Sequence, residues 1–301
     1  MVQKQMGVRE WGLLITLSVL WGGSFLFIKL ALTELPPFTI VFSRVSLAAI
    51  VLTFWVWISG QPLLRSLQQW QEFLVMGALN NLIPFSLIAW GQTQINSSLA
   101  AILNATTPIF AVILAHWLTQ DERLTPNRFA GTVLGLGGVV VLMSPQALSQ
   151  FNLTNLAQLA ILGAACSYGL AGIYGKRFRS LSPPVAAAGM LIGTSVMMLP
   201  LVLIIDRPWT LAPGSIAVFS ILGLSLLSTA LAYLIYFQLL ATAGATNLLL
   251  VTFLIPISAL VLGVLVLKEQ VQWTEVIGMG LIFLGLIAID GRFQLRRQGS
   301  A

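Results

Sequence analysis

Runs of roughly twenty apolar residues, each ended by Pro, Gly, Asn or a charged residue, follow one another along the whole chain. A helix that crosses a bilayer needs ~20 such residues. The runs fall at 11–32, 38–59, 72–91, 97–118, 127–144, 156–177, 184–205, 215–238, 246–267 and 273–290. They predict an all-α, polytopic membrane protein with ten transmembrane helices. Only 8% of the residues are charged, against about 25% in soluble domains, and no connecting segment is long enough for a soluble domain.

Basic residues are distributed unevenly between the alternate loops of this arrangement. If the N-terminus is cytoplasmic, the inside loops and tails hold Lys4, Arg9, Arg65, Arg123, Arg128, Lys176, Arg177, Arg179, Arg292, Arg296 and Arg297. The outside loops hold Arg207 and Lys268. Short basic loops are retained on the cytoplasmic side, so the pattern predicts an inner-membrane protein with both termini in the cytoplasm. A nucleic-acid-binding surface would not partition in this way, and no nucleic-acid partner is expected.

Two further basic residues, Lys29 and Arg44, lie within one or two turns of the predicted outer ends of helices 1 and 2. A long basic side chain in that position can extend along the helix until its charge reaches the interface. Snorkelling to the outer interface is therefore the preferred interpretation of both residues. A functional role within the membrane is the alternative.

An internal repeat appears when residues 21–37 are aligned with residues 168–184 without a gap. The matches are Gly22, Lys29, Pro36 and Pro37 with Gly169, Lys176, Pro183 and Pro184, then Pro108 with Pro256, and, after a one-residue adjustment, Glu122, Gly131 and Gly138 with Glu269, Gly278 and Gly285. The chain is interpreted as two five-helix repeats, over 11–144 and 156–290. Because five is odd, the second repeat must be inverted in the membrane. Inverted repeats are typical of transporters that expose a central site to each side in turn.

Three prolines lie inside predicted helices, where each leaves the carbonyl four residues earlier without its usual N–H donor. In each case that carbonyl belongs to a polar residue: Pro84 follows Asn80, Pro108 follows Asn104, and Pro256 follows Thr252. An unpaired carbonyl in hydrocarbon is costly unless protein, water or a ligand satisfies it. The prolines therefore indicate a cavity.

Polar and aromatic side chains accompany these prolines on the same helices. The candidate binding residues are Trp21, Ser24, Asn80, Asn81, Asn104, Thr107, Tyr168, Thr229, Tyr233, Tyr236 and Thr252. Trp21 and Tyr168 occupy equivalent places in the two repeats, and their rings could stack on a substrate or attract a cation. Taken singly, each polar residue could equally form a hydrogen bond between helices. As a set they favour a cavity that binds a ligand.

Other classes of site lack the residues that they need. His116 and Cys166 are the only histidine and cysteine, so no usual zinc site and no catalytic constellation is expected. We expect no enzyme activity, no metal and no cofactor. No Asp or Glu falls near the centre of a predicted helix, which argues against proton coupling through an intramembrane carboxylate.

Glycines are concentrated in predicted helices 5 and 10, at Gly131, Gly135, Gly138, Gly278, Gly280 and Gly285. Small residues let helices approach closely. The pattern indicates helix packing and only weakly suggests dimerisation, so a monomer or a weak homodimer is expected.

The segments LWGGSFLFIKLAL, PPFTIVFSR and SSLAAILNATTPIFAVILAHWL resemble the first EamA domain of the drug/metabolite transporter superfamily. The segment LLLVTFLIPISALVLGVLVLKEQ resembles the second. The resemblance implies ten helices and a central cavity lined mainly by helices 1, 3, 4, 6, 8 and 9, with helices 2, 5, 7 and 10 at the periphery. Members of this family most often export amino acids or related metabolites. Small relatives that expel cationic drugs depend on a glutamate in helix 1, and no acidic residue occupies the middle of helix 1 here.

The leading hypothesis is therefore an inner-membrane exporter of small neutral or zwitterionic metabolites, amino acids above all, that works by alternating access. Amide, hydroxyl and aromatic groups suit such a ligand better than a dianion. A phosphate group would require a Lys or Arg deep in the site, and Lys29 and Arg44 are the candidates. A phosphometabolite or nucleotide-sugar exchanger is the first alternative, and a membrane scaffold without transport activity is the second.

Overall fold

The computed structural model describes residues 6–63, 66–95, 97–119, 125–142, 155–267 and 273–290. All regular secondary structure within these ranges is helical, with no strand, which confirms the all-α prediction. The far termini, most of the basic loop residues and the aligned Glu122 and Glu269 lie outside the described residues.

The helices follow the predicted apolar runs, with some boundaries moved. The first half contains α1 Val8–Ala31, α2 Pro37–Ile58, α3 Leu67–Gly91, α4a Ser97–Asn104, α4b Thr107–Leu118 and α5 Pro126–Leu142. The second half contains α6 Leu156–Tyr174, α7 Pro183–Leu201, α8 Ser215–Thr242, α9a Ala245–Leu249, α9b Val251–Leu267 and α10 Trp273–Asp290. The largest shift is at the start of α3, where the Ser66 hydroxyl accepts a hydrogen bond from the Gln69 amide and caps a polar first turn.

Seven helical segments of the described chain are long and apolar enough to cross a membrane. They are Val8–Ala31, Pro37–Ile58, Leu67–Gly91, Leu99–Leu118, Leu156–Phe178, Pro183–Asp206 and Ser215–Thr242. Three shorter apolar stretches, Phe129–Val141, Asn247–Ser258 and Val276–Ile289, coincide with the other predicted spans. The chain is a multi-pass membrane protein, and the total of ten spans stays a prediction.

Irregular segments interrupt four helices, α3, α4, α8 and α9, in pairs that the repeat relates, and a further π-helical segment, Val202–Asp206, follows α7. A π-helical segment interrupts α3 at Ala78–Leu82 and α8 at Leu226–Leu231. The predicted continuous helices at 97–118 and 246–267 are instead broken, after Asn104 and at Leu250 respectively. Pro108 lacks the N–H that would bond to the Asn104 carbonyl, and the Thr107 hydroxyl donates to that carbonyl instead, at 2.7 Å. The prediction of a carbonyl left free by Pro108 is thus wrong, because a neighbouring side chain satisfies it.

The two halves pack against each other in matching pairs. Helix α1 contacts α8 and α9b, as α6 contacts α3 and α4, and helix α2 contacts α7. Helices α5 and α10 meet through their glycines: a Cβ added at Gly138 would lie 2.8 Å from the Gly278 carbonyl oxygen and 2.6 Å from the Ile282 nitrogen. Their backbones are in direct contact, so these glycine faces are used within one chain and are not available to a second copy.

Two carboxylates join the halves at one end of the bundle, Glu34 from the turn after α1 and Asp206 from the end of the π-helical segment that follows α7. Asp206 Oδ2 accepts hydrogen bonds from the Thr39 amide at 2.6 Å and the Thr39 hydroxyl at 2.9 Å, at the N-terminus of α2. Glu34 accepts one from the Gly214 amide, the N-cap of α8. Each carboxylate lies at the N-terminus of a helix of the other half, where negative charge is favoured.

Asp206→Ala is expected to lower the free energy of unfolding by about 1–2 kcal/mol, because α2 loses its capping carboxylate. Arg207→Gln is the matched control, since Arg207 is the exposed neighbour of Asp206 and a surface change of this kind costs less than about 0.5 kcal/mol. Thermal unfolding of purified protein in detergent measures both. Equal midpoints for the two variants would show that this contact does not join the halves.

Candidate functional site

A narrow cavity lies between the two halves of the bundle. The first half lines it with Trp21, Ser24, Phe25, Ile28, Arg44, Phe85, Ile88 and Asn104. The second half lines it with Tyr168, Tyr236, Leu249, Thr252 and Ile255. Its water-accessible volume is about 50 Å³, room for roughly three water molecules. A ligand larger than this requires the helices around it to move apart.

Arg44 is the only charged side chain among the residues that line this cavity. It is 3% exposed. Its Nε donates to the Thr229 hydroxyl at 2.8 Å, and its Nη2 donates to the Ser228 carbonyl at 3.2 Å. The Phe85 ring covers one face of the guanidinium, with Cζ 3.9 Å from the ring centroid.

The snorkelling interpretation of Arg44 is therefore wrong, whereas Lys29 is exposed on α1. The hydrogen bonds to the π-helical segment of α8 hold Arg44 inside the bundle. The resemblance also placed α2 at the periphery, and Arg44 is the residue by which α2 departs from that arrangement. The signal in the sequence was an ionisable residue two turns inside an apolar helix, which by itself favours a functional role.

The rings of Trp21 and Tyr236, which line the cavity, pack against the ring of Tyr233, which does not line it. The Trp21 ring centroid lies 6.4 Å from that of Tyr233 and 6.1 Å from that of Tyr236, and the two tyrosine rings are 5.6 Å apart at nearly a right angle. Trp21 Nε1 also donates to the Ser228 carbonyl at 3.2 Å. These ring contacts and the Trp21 hydrogen bond join α1 to α8 at the cavity.

Two polar atoms of the cavity wall have no hydrogen-bond partner in the described structure. They are Asn104 Oδ1 and the Tyr236 hydroxyl, on side chains that are 5% and 1% exposed. A buried polar group without a partner costs about 1–3 kcal/mol. Both residues line the cavity, so a ligand or water there can supply the missing hydrogen bonds.

Asn80, Asn81 and Tyr233 lie outside the cavity wall, contrary to the prediction. The Asn81 amide donates to the Thr194 hydroxyl at 2.9 Å, and its carbonyl oxygen accepts from the Tyr233 hydroxyl. Asn80 Nδ2 contacts Met190 Sδ at 3.5 Å. These contacts join α3 to α7 and α8. For Asn80, Asn81 and Tyr233 the structure thus favours the alternative interpretation, in which polar side chains bond between helices.

Of the remaining predicted residues, some line the cavity and the others lie behind its wall. Ser24 and Thr252 line the cavity, and their hydroxyls donate to the Trp21 and Leu249 carbonyls at 2.8 and 2.9 Å. Thr107 and Thr229 are fully buried behind the wall, Thr107 capping Asn104 and Thr229 holding Arg44. Pro84, Pro108 and Pro256 are buried beside wall residues without lining the cavity themselves.

Three pairs of residues in the cavity wall occupy positions that the repeat relates. Trp21 aligns with Tyr168, and the offset that aligns Pro108 with Pro256 also aligns Asn104 with Thr252 and Ile88 with Tyr236. Both members of each pair line the cavity. Arg44 breaks the relation, because it aligns with Leu191, which does not line the wall.

The sequence analysis missed the apolar residues of the wall. These are Phe25, Ile28, Phe85, Ile88, Leu249 and Ile255. In a membrane protein apolar residues face lipid as well as interior, so hydrophobicity alone does not distinguish the two surfaces. Within the described residues, no group of three or more His, Cys, Asp or Glu side chains lies close enough together to hold a metal ion.

The sequence matches the EamA-like transporter family twice, over residues 10–144 and 155–289. It is 25% identical to the uncharacterised transporter YoaV of Bacillus subtilis, over 94% of this chain and 97% of that protein. It is 26% identical to a protein of Escherichia coli (strain K12) named "Probable amino-acid metabolite efflux pump", over 91% of this chain and 92% of that one. A crystal structure of a protein 18% identical to this chain superposes with a TM-score of 0.76, covering 98% of this chain and all of that one, which establishes the shared fold.

Proposed function

This protein belongs to the EamA-like transporter family, and we propose that it exports amino acids or similar small zwitterionic metabolites through its central cavity by alternating access. The observation that carries the proposal is a cavity that both halves line, with three repeat-related pairs of residues in its wall. The Escherichia coli relative named as a probable amino-acid metabolite efflux pump supports both the substrate class and the direction of transport.

The proposed membrane arrangement is ten helices in two inverted repeats, residues 11–144 and 156–290, with both termini on the cytoplasmic side of the inner membrane. The paired irregularities of α3 with α8 and of α4 with α9 support this arrangement. So do the exchanged contacts, in which α1 packs on α8 and α9b as α6 packs on α3 and α4. Because each half contains the same elements, each can take the conformation of the other, which opens the cavity to one side and then to the other.

The irregular segments supply the movement that this cycle requires. A π-helical segment or a broken helix leaves backbone groups that can change partners at little cost, and such segments are frequent at functional sites. All four irregular helices contribute residues to the cavity wall. Substrate entry into a cavity of about 50 Å³ requires an opening of this kind.

The chemistry of the wall favours a ligand with one negative charge at most. Its neutral groups are hydroxyls, an amide and aromatic rings, and its one charged group is Arg44. An amino acid carboxylate would balance that charge. A phosphate dianion would need more cationic or N–H donors than Arg44 alone supplies, and no second basic side chain is among the described residues that line the cavity. The burial of Arg44 nevertheless makes a phosphometabolite exchanger the second candidate.

Flux of labelled amino acids into or out of liposomes that contain the purified protein is the direct test. We expect accelerated flux of at least one amino acid, with and without an imposed proton gradient, since no described carboxylate lines the cavity. Asn104→Ala should reduce that flux by about fivefold or more while the yield of folded protein is maintained. Ser195→Ala on α7, whose hydroxyl bonds to its own helix, is the control and should leave flux unchanged.

Two results would contradict the proposal. Movement of phosphorylated sugars without movement or competition by any amino acid would favour the exchanger. Absence of flux for every solute tested, with folded protein in the membrane, would favour a scaffold without transport activity.

A further inference from the structure

Arg44 keeps hydrogen-bonding capacity that the protein does not use. A guanidinium has five N–H donors, and Arg44 uses one on Nε and one on Nη2, for Thr229 and Ser228. In the described structure the other three have no protein acceptor, and Arg44 forms no ion pair. Both terminal nitrogens thus retain a free N–H, the pair that a carboxylate accepts in a bidentate contact.

Because Arg44 is buried, its positive charge favours a ligand that carries a negatively charged group. The side chain is 3% exposed, and a buried cation without a counter-ion is strongly unfavourable. The hydroxyl, the carbonyl and the Phe85 ring around it are dipolar or aromatic groups that stabilise the cation without neutralising it. An anionic group of the ligand is what completes this part of the site.

The repeat gives Arg44 no counterpart in the second half. Asn80 and Asn81 align with Ser228 and Thr229, the residues that Arg44 contacts. In the second half, the contacts from α7 to the aligned segment are made by Met190 and Thr194, which are neutral. The site therefore has its positive charge on one side only. It distinguishes the two ends of a ligand.

At Asn104 and Tyr236 the described cavity wall presents oxygens without a partner, where Arg44 presents N–H donors without one. Asn104 Oδ1 is an acceptor without a partner, and the Tyr236 hydroxyl oxygen is likewise unpartnered. Both belong to the same cavity wall as Arg44. Two unpartnered oxygens beside an aromatic ring suit an ammonium group, which offers three donors and a positive charge.

We propose that Arg44 binds the carboxylate of the substrate while Asn104 and Tyr236 bind its α-ammonium group, so that the site selects α-amino acids by both charged groups. This inference rests on the proposed function and names the residues that recognise the substrate. Phe25, Ile28 and Ile255 leave an apolar surface for the substrate side chain. Thr229 is a positioning residue, since it holds the guanidinium without lining the cavity.

Binding of three related compounds to the full-length purified protein tests the two contacts separately. Leucine carries both charged groups, leucinamide lacks the carboxylate, and 4-methylpentanoate lacks the amine. The natural protein should bind leucine about tenfold or more tightly than either analogue, because each lost charged contact is worth at least that factor. Isothermal titration in detergent measures the three dissociation constants.

Variants test which residue causes the preference for the carboxylate and which causes the preference for the amine. Arg44→Gln should remove the preference for leucine over leucinamide, and Asn104→Leu the preference for leucine over 4-methylpentanoate. Arg44→Lys keeps the charge without the bidentate geometry and should retain part of the first preference. If Arg44→Gln does not fold, the comparison of leucine with leucinamide on the natural protein still decides the matter.

The outcomes separate this inference from the proposed function. Equal binding of leucine and leucinamide, alongside amino acid flux in liposomes, would overturn the role of Arg44 and leave the function intact. Tight binding of 4-methylpentanoate that depends on Arg44, without binding of leucine, would support the carboxylate contact and contradict amino acid transport. Glucose 6-phosphate binding more tightly than leucine would overturn the assignment of both contacts.

Discussion

Gly138→Ala should lower the yield of folded protein several-fold and reduce its thermal midpoint. The new Cβ would lie 2.6 Å from the Ile282 nitrogen and 2.8 Å from the Gly278 carbonyl oxygen. Both are backbone atoms of α10, so no side chain can rotate to make room, and α5 and α10 must separate along their glycine contact. Overpacking of this kind costs about 3 kcal/mol or more, a large part of the stability of a typical domain.

The adjacent residue provides the control. A Cβ added at Gly137 meets no atom within 4 Å, and alanine is favoured over glycine in a helix by about 1 kcal/mol. Gly137→Ala should therefore leave the yield and the thermal midpoint unchanged or slightly raised. Size-exclusion chromatography after detergent extraction measures the yield of both variants. Similar yields for both would mean that α5 and α10 are not in backbone contact.

Thr229→Val should impair both stability and transport. The Thr229 hydroxyl accepts from Arg44 Nε at 2.8 Å and donates to the Leu224 carbonyl at 2.7 Å, within the irregular part of α8. Valine has nearly the same shape but leaves both groups unsatisfied in a fully buried position. The expected loss is about 3 kcal/mol of unfolding free energy, together with a roughly tenfold or greater fall in flux, since the guanidinium is no longer fixed.

Thr229→Ser retains the hydroxyl and is the matched control. It removes one methyl group and should keep flux within about twofold of the natural protein, with a stability loss near 1 kcal/mol. Thermal unfolding and liposome flux are measured on both variants. Full transport by the valine variant would show that the hydroxyl is not needed to hold Arg44.

The helical architecture followed from the sequence because the length of an apolar run is set by bilayer thickness and needs no tertiary information. The alignment of Trp21 with Tyr168 likewise required only the repeat. Asn104 and Thr252 were found because the prolines that follow them disturb the local backbone, which is an effect of nearest neighbours. Features that depend on a few adjacent residues could therefore be predicted from the sequence.

Arg44 was misplaced because its position depends on partners that are distant in the chain. A lone arginine on a predicted helix can reach either the interface or the interior, and the choice is made by Thr229 and Ser228. The same limit applied to Asn81, whose partners Thr194 and Tyr233 lie on two other helices. Helix periodicity gives the angular position of a residue and does not give the neighbour that it meets.

The contact between α5 and α10 also restricts how the two halves of the sequence can diverge. At Gly285 an added Cβ would lie 2.7 Å from the Gly131 carbonyl oxygen and 2.6 Å from the Gly135 nitrogen. A larger residue on either helix would thus collide with the backbone of the other helix. Glycine has no side chain, so no substitution on the opposite helix can make room for it. Mutations that enlarge this strip in one copy of the duplicated segment cannot be rescued by mutations in the other, so we expect both copies to retain small residues there while the rest of their sequences drift apart.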